Sequence, residues 1–154
     1  MKYAFEDYNE YNVLKIPFFL VLINLYLLKN FLIFVLPMIS SISVVKEFAH
    51  EQFSLALLFS GIPAMLVMGG MFRRIPETQS KVIRGVWVWG RILLLSSLIM
   101  EISFIVLYVV FEISKFNGVS LAFIYIDVVL MIVLLKSRRM LDVFAEFPDE
   151  KRSQ

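Results

Sequence analysis

Four stretches of the chain are nearly continuous in apolar side chains: Pro17 to Leu36, Phe53 to Phe72, Val86 to Phe111 and Val119 to Leu135. Each is long enough to cross roughly 30 Å of hydrocarbon at about 1.5 Å of rise per residue. The apolar positions do not alternate with polar ones, so they predict helices and not barrel strands. A helix satisfies its backbone internally where lipid offers no partner. The expected fold is an all-α integral membrane protein, a four-transmembrane-helix bundle forming one domain over residues 1–154. No repeat or low-complexity linker divides it.

The polar segments between the runs give the orientation. Eleven Lys and Arg residues fall on one side: Lys2 and Lys15, then Arg73, Arg74, Lys81 and Arg84, then Lys136, Arg138, Arg139, Lys151 and Arg152. The opposite loops hold two, Lys46 and Lys115. Basic residues are retained on the cytoplasmic side, so both termini are expected there. Pro17 suits a first helical turn, where its missing N–H has no partner to lose. Trp87 and Trp89 are expected at headgroup level at the start of the third span. In "RRMLDVFAEFP", Met140, Leu141, Phe144 and Phe147 fall near one side of a helix, which predicts an interfacial continuation ending at Pro148.

Composition narrows the class. The chain is 60% apolar and its mean hydropathy is +0.81, more than a soluble domain of this length buries. There is no cysteine and one histidine, which removes thiolate chemistry and leaves little for a metal. A net charge of +2 without a mixed basic and aromatic patch gives no expectation of nucleic acid. The start, "MKYAFEDYNEYNVLK", is acidic where a signal peptide would be basic, so the first run reads as a retained span.

Three charges fall deep within the runs, Lys29, Glu101 and Asp127, and a fourth, Arg91, lies about one turn inside the cytoplasmic edge of the third. A charge at the bilayer centre costs about 2.5–3.5 kcal/mol on the insertion scale, and each Leu, Ile, Phe or Val returns roughly 0.3–0.6. Fifteen such residues between Phe18 and Leu36 outweigh Lys29 about twofold. Helical rise places all three charges in the central or outer half of the membrane, which predicts a buried pairing of Lys29 with Glu101 and also with Asp127. Ser97, four residues before Glu101, and Tyr26 and Asn30 beside Lys29 extend the polar set. The structural reading is pairing between helices, or snorkelling of Lys29 along its aliphatic stem. The functional reading is a proton or cation relay.

Two further sets carry expectations. Ala56, Ser60 and Ala64 recur every fourth residue, a small-residue ladder for close helix approach, and Pro63 beside them predicts a bend. Lys81, Arg84 and Arg91 fall on one side of the helix entering the third span, a basic face for anionic lipid headgroups; a substrate phosphate is the alternative. Glu47 and His50 form half of a carboxylate-bridged metal motif without its second half. No nucleophile elbow or phosphate loop is present, and "MGGMF" lacks the required Lys and Ser or Thr. No catalytic, cofactor-binding or metal-ligating residue is therefore predicted.

The Tyr-rich start running into "LKIPFFL", the basic residue late in the first span, "GIPA" at 61–64 and "RR" at 73–74 resemble the YfeZ-like family of small bacterial inner-membrane proteins of unknown function. The resemblance implies a bacterial cytoplasmic membrane and carries over no catalytic or binding residue. Where that family tends to have Arg followed by Trp in the first span, this chain has Lys29, Asn30 and Phe31. The functional expectation is a non-enzymatic structural, accessory or partner-binding membrane protein, its partner another membrane protein or a second copy. A small ion-coupled transporter or channel using Glu101 and Asp127 is the alternative, and a bacteriocin immunity protein the third.

Overall fold

The computed structural model describes residues 3–52, 55–75, 80–111 and 117–148. Phe53, the expected start of the second span, and Lys2, Lys115, Lys151 and Arg152 of the charge count lie outside them.

Among the described residues a short 3-10 turn, Phe5–Asp7, precedes eight α-helices: α1 Phe18–Leu27, α2 Lys29–Ile39, α3 Ser43–Gln52, α4 Leu55–Phe72, α5 Lys81–Val88, α6 Gly90–Val110, α7 Gly118–Lys136 and α8 Arg138–Ala145. Three of them, α4, α6 and α7, are long and apolar enough to cross a membrane. A fourth span exists if α1 and α2 are one broken crossing. The described residues hold no strand, only an isolated bridge between Tyr8 and Leu14.

The first span is not the straight helix expected from Pro17 to Leu36. It breaks at Leu28 and turns by 56°, so that Lys29 and Asn30 open a second helix. The polar pair thereby leaves the line of α1 and enters the bundle: Asn30 is buried and the Lys29 side chain is only 14% exposed. Pro37 lies inside α2, and α3 folds back against α2. Pro63, by contrast, does not interrupt α4.

The most extensive helix contact is between α4 and α6, and α4 also packs on α1, α2 and α5. Ser60 and Ala64 are buried and Ala56 half-buried, letting backbones approach as small side chains do in membranes. Gly61 serves α2, since a Cβ there would lie 2.6 Å from the Phe31 ring. On α6, Leu94, Ser97, Leu98, Glu101 and Ile105 are buried at helical period, so one face carries both the apolar core and the polar stripe. The last long helix, α7, packs on α6 and buries only Asp127 and Leu134, two turns apart.

The third span also starts later than expected. Trp89 separates α5 from α6, and Trp87 is not at a lipid surface: it is fully buried, with its ring 5.0 Å from Phe144 of α8. Trp89 is 60% exposed. The helix α8 stops at Ala145, before Phe147, and buries Met140, Val143 and Phe144 while Leu141 stays half-exposed. Its apolar face is spent on this chain, against α5, α6 and the N-terminal segment.

Candidate functional site

Two clusters of polar side chains stand apart in the fold. One lies within the bundle. The break at Leu28 aims Lys29 at α6, where its ammonium pairs with Glu101 Oε1. Glu101 is 1% exposed. The same ammonium sits 3.8 Å from the centre of the Tyr26 ring and 4.9 Å from that of Phe123, a cation–π setting worth more when desolvated than in water. Asp127 on α7 completes the group. It is fully buried and interacts electrostatically with Glu101, Lys29 and Tyr26. Neither Asp127 oxygen, nor Glu101 Oε2, meets a hydrogen-bond partner among the described residues. The Tyr26 hydroxyl is beside Asp127 but donates to the Phe123 carbonyl at 3.4 Å. One cation thus faces two carboxylates in a closed volume, and the ion pair accounts for one of the two negative charges.

Next to it, a chain of neutral hydrogen bonds ties α2, α4 and α6. Asn30 Nδ2 donates to Ser60 Oγ at 3.4 Å, Ser60 Oγ donates to the Leu57 carbonyl at 2.7 Å, and Ser97 Oγ donates to the Ser60 carbonyl. Asn24 on α1 is buried, and its amide has no partner among the described residues.

The second cluster caps the end of the bundle where the N-terminal segment meets α8. Asn9 Oδ1 accepts from the Tyr11 and Val13 N–H groups, and Asn12 takes a left-handed φ of 53°, closing a tight loop that returns Leu14 to the bundle. The carbonyl of Leu14 accepts from Arg74 Nη1 at 2.7 Å, and its N–H donates to Glu146 Oε2 at 2.8 Å. Arg74 Nη2 donates to the carbonyls of Glu146 at 2.9 Å and Val143 at 3.4 Å. The Trp87 indole N–H serves the same two carbonyls at 3.0 Å, and the guanidinium lies 4.7 Å from the Trp87 ring centre. These are the free carbonyls of the last turn of α8, groups a helix C-terminus must leave to outside donors. Burial pushes the Arg74 pKa down to about 10 against the partial lift of the Glu146 carboxylate, so it stays charged at neutral pH. At the rim, Tyr3 donates to Asp142, and Arg139 pairs with Asp7 at 2.7 Å.

The expected basic face divides. Arg91 donates to the carbonyls of Leu134 at 2.9 Å and Leu135 at 2.7 Å, capping α7 as Arg74 caps α8. Arg84 reaches the Pro148 carbonyl at 3.4 Å and lies 5.1 Å from the Phe147 ring. Lys81 is exposed. Glu47 and His50 lie exposed on α3, and no group of three potential metal ligands comes together among the described residues. The cluster around Arg74 and Trp87 was missed in the sequence, where "RR" reads as a boundary marker and Trp as an interface anchor. The neighbouring signal was the amphipathic α8, whose buried face needed a platform.

The family model of a protein of unknown function, DUF2919, matches residues 3–146. No curated protein and no solved structure matches the chain. The matched range runs from Tyr3, which bonds α8, to Glu146, whose carbonyl Arg74 holds, so it takes in both clusters.

Proposed function

The chain belongs to the DUF2919 family, whose function is unknown, and from its own residues we propose a non-enzymatic, multi-pass protein of the bacterial cytoplasmic membrane, with both ends inside, acting as an accessory or partner-binding subunit. The observation that carries this reading is where the interior polar groups go. Lys29 with Glu101, and Asn30 with Ser60 and Ser97, join α2 to α6 and α2 to α4 to α6, so the polarity within the spans binds helix to helix. The basic residues gathered near the chain ends and in the α4–α5 connection support the orientation. The partner would meet the outward apolar faces of α4 or α7 within the bilayer.

Because the chain has no cysteine, single cysteines are clean reporters. Cysteines at exposed Phe5 and exposed Ile42 should label from opposite sides in intact cells, the first only after permeabilisation. Crosslinking from exposed positions on α7, followed by native gels, should trap a partner or a second copy; monomer alone in native membranes would overturn the partner half. A second reading, ion-coupled transport, is favoured by the unpartnered oxygens of Asp127. It requires a pH-dependent flux in proteoliposomes that Asp127→Asn abolishes.

A further inference from the structure

We propose that Glu101 and Asp127 together hold one exchangeable proton in the middle of the bundle, making the Tyr26, Lys29, Glu101 and Asp127 cluster a proton-binding site. The argument starts from enclosure. Asp127 is fully buried and Glu101 is 1% exposed, and three of their four carboxyl oxygens, both of Asp127 and Oε2 of Glu101, have no hydrogen-bond donor among the described residues. An ionised Asp127 in such a place has lost water, and Lys29 and Tyr26 offset only part of a desolvation cost of several kcal/mol.

Charge counting gives the stoichiometry. The groups facing Asp127 are Tyr26 from α1, Lys29 from α2 and Glu101 from α6. Tyr26 is neutral, Lys29 is a cation and the two acids would both be anions, so the fully ionised site carries one negative charge too many. Two carboxylates that face each other repel when both are ionised, which favours one proton between them. Lys29 stabilises one ionised acid through its bond to Glu101 Oε1. The remaining acid binds the proton, and the Tyr26 hydroxyl beside Asp127 is placed to hydrogen-bond either form. A bound metal cation would answer the same charge, but hard cations need several converging oxygens, and no group of three potential metal ligands comes together among the described residues. The proposal rests on α6 and α7 lying in the membrane, and it stands whether or not the protein transports anything.

The test is infrared spectroscopy of the full-length protein in lipid vesicles, following the carbonyl stretch of protonated carboxyl groups and its shift in D2O. Wild type should show one such group at neutral pH. Both Asp127→Asn and Glu101→Gln should lose it, because either substitution leaves one acid for Lys29 to keep ionised. Lys29→Met should double it. This pattern of one, none, none and two separates a shared proton from a merely buried acid, whose signal would survive one of the two amide substitutions. No band in wild type, or a band that persists in either amide variant, overturns the proposal. So does a wild-type band that disappears on adding sodium at constant pH, since that marks a cation site. Should Lys29→Met fail to insert, the two amide variants still decide, and helicity by circular dichroism confirms their folding. A correctly inserted protein that lacks the band removes the proton site and leaves the topology untouched.

Discussion

Two cations among the described residues, the buried Arg74 and the half-buried Lys29, are neutralised differently. Arg74, at the end of the bundle, gives its donors to backbone carbonyls of Leu14, Val143 and Glu146 and lays its plane near Trp87. Lys29, within the bundle, has a carboxylate for a partner and a second carboxylate close by. A guanidinium spreads its charge over a fork of donors and needs only polar acceptors, which a helix C-terminus supplies for nothing. An ammonium is a compact point charge, and Lys29 is neutralised by an opposite charge, the Glu101 carboxylate. The Arg74 cluster is therefore set by shape, and the Lys29 cluster by charge. They should fail in different ways.

The largest effect is expected within the bundle. Lys29→Met strips the cation from two buried acids and should lower stability by about 3 kcal/mol or more, read by unfolding in mixed detergent micelles. The double variant Lys29→Met with Glu101→Gln should recover most of the loss, because removing both partners of a buried pair is far cheaper than removing one. Equal losses in the single and double variants would mean that the lysine acts by packing and not by charge.

Second comes Arg74→Ala, expected to cost about 2–3 kcal/mol by leaving three carbonyls to weaker donors. Arg74→Lys should restore only a small part, since one ammonium cannot span Leu14 and Glu146 together. Proteolysis between α8 and the bundle is the direct readout. Full rescue by lysine would show that charge rules this cluster too, and the contrast with Lys29 would fall.

Third, Gly90→Ala should cost about 1–3 kcal/mol, as expected of overpacking. Its Cβ would sit 2.4 Å from the Phe144 ring, and Phe144→Leu in the same chain should relieve part of the penalty. The smallest effect lies at the rim. The bond to Asp142 raises the Tyr3 phenol pKa above its ordinary value near 10, so the bond's contribution is whole at neutral pH and is lost as pH climbs through that raised value. Arg74, whose pKa is lowered, titrates in the opposite sense and is common to wild type and Tyr3→Phe. The difference between those two proteins in protease sensitivity above about pH 10 therefore isolates the phenol.

Much of the bundle was legible along the chain. The second and fourth runs agree with α4 and α7 to within about two residues, and the Lys29–Glu101 pairing follows from depth and charge alone. In the ladder at 56, 60 and 64, Ser60 meets α2 through its hydroxyl and α6 through its carbonyl. The break at Leu28 was not legible, because neither Gly nor Pro marks the turn and Lys29 and Asn30 read as polar residues within one continuous helix. It is held by what Lys29 and Asn30 find on α6 and α4, contacts made with residues 30 and 72 positions away. Trp87 and Arg74 were misread for the same reason. A local rule places tryptophan and arginine at a membrane boundary, and only the arrival of α8 turns that boundary into an interior.

That arrival has a date in the life of the molecule. Arg74 and the Glu146 carbonyl it holds are 72 residues apart, so a ribosome adding about 5–20 residues per second makes the first several seconds before the second. Over that interval the guanidinium, the indole of Trp87 and the N–H of Leu14 lack the acceptors on Val143 and Glu146 that later meet them. Of the described helices, α8 is the last to be made and closes the bundle, and a chain cut short before it would leave this end hydrated and open to quality-control proteases.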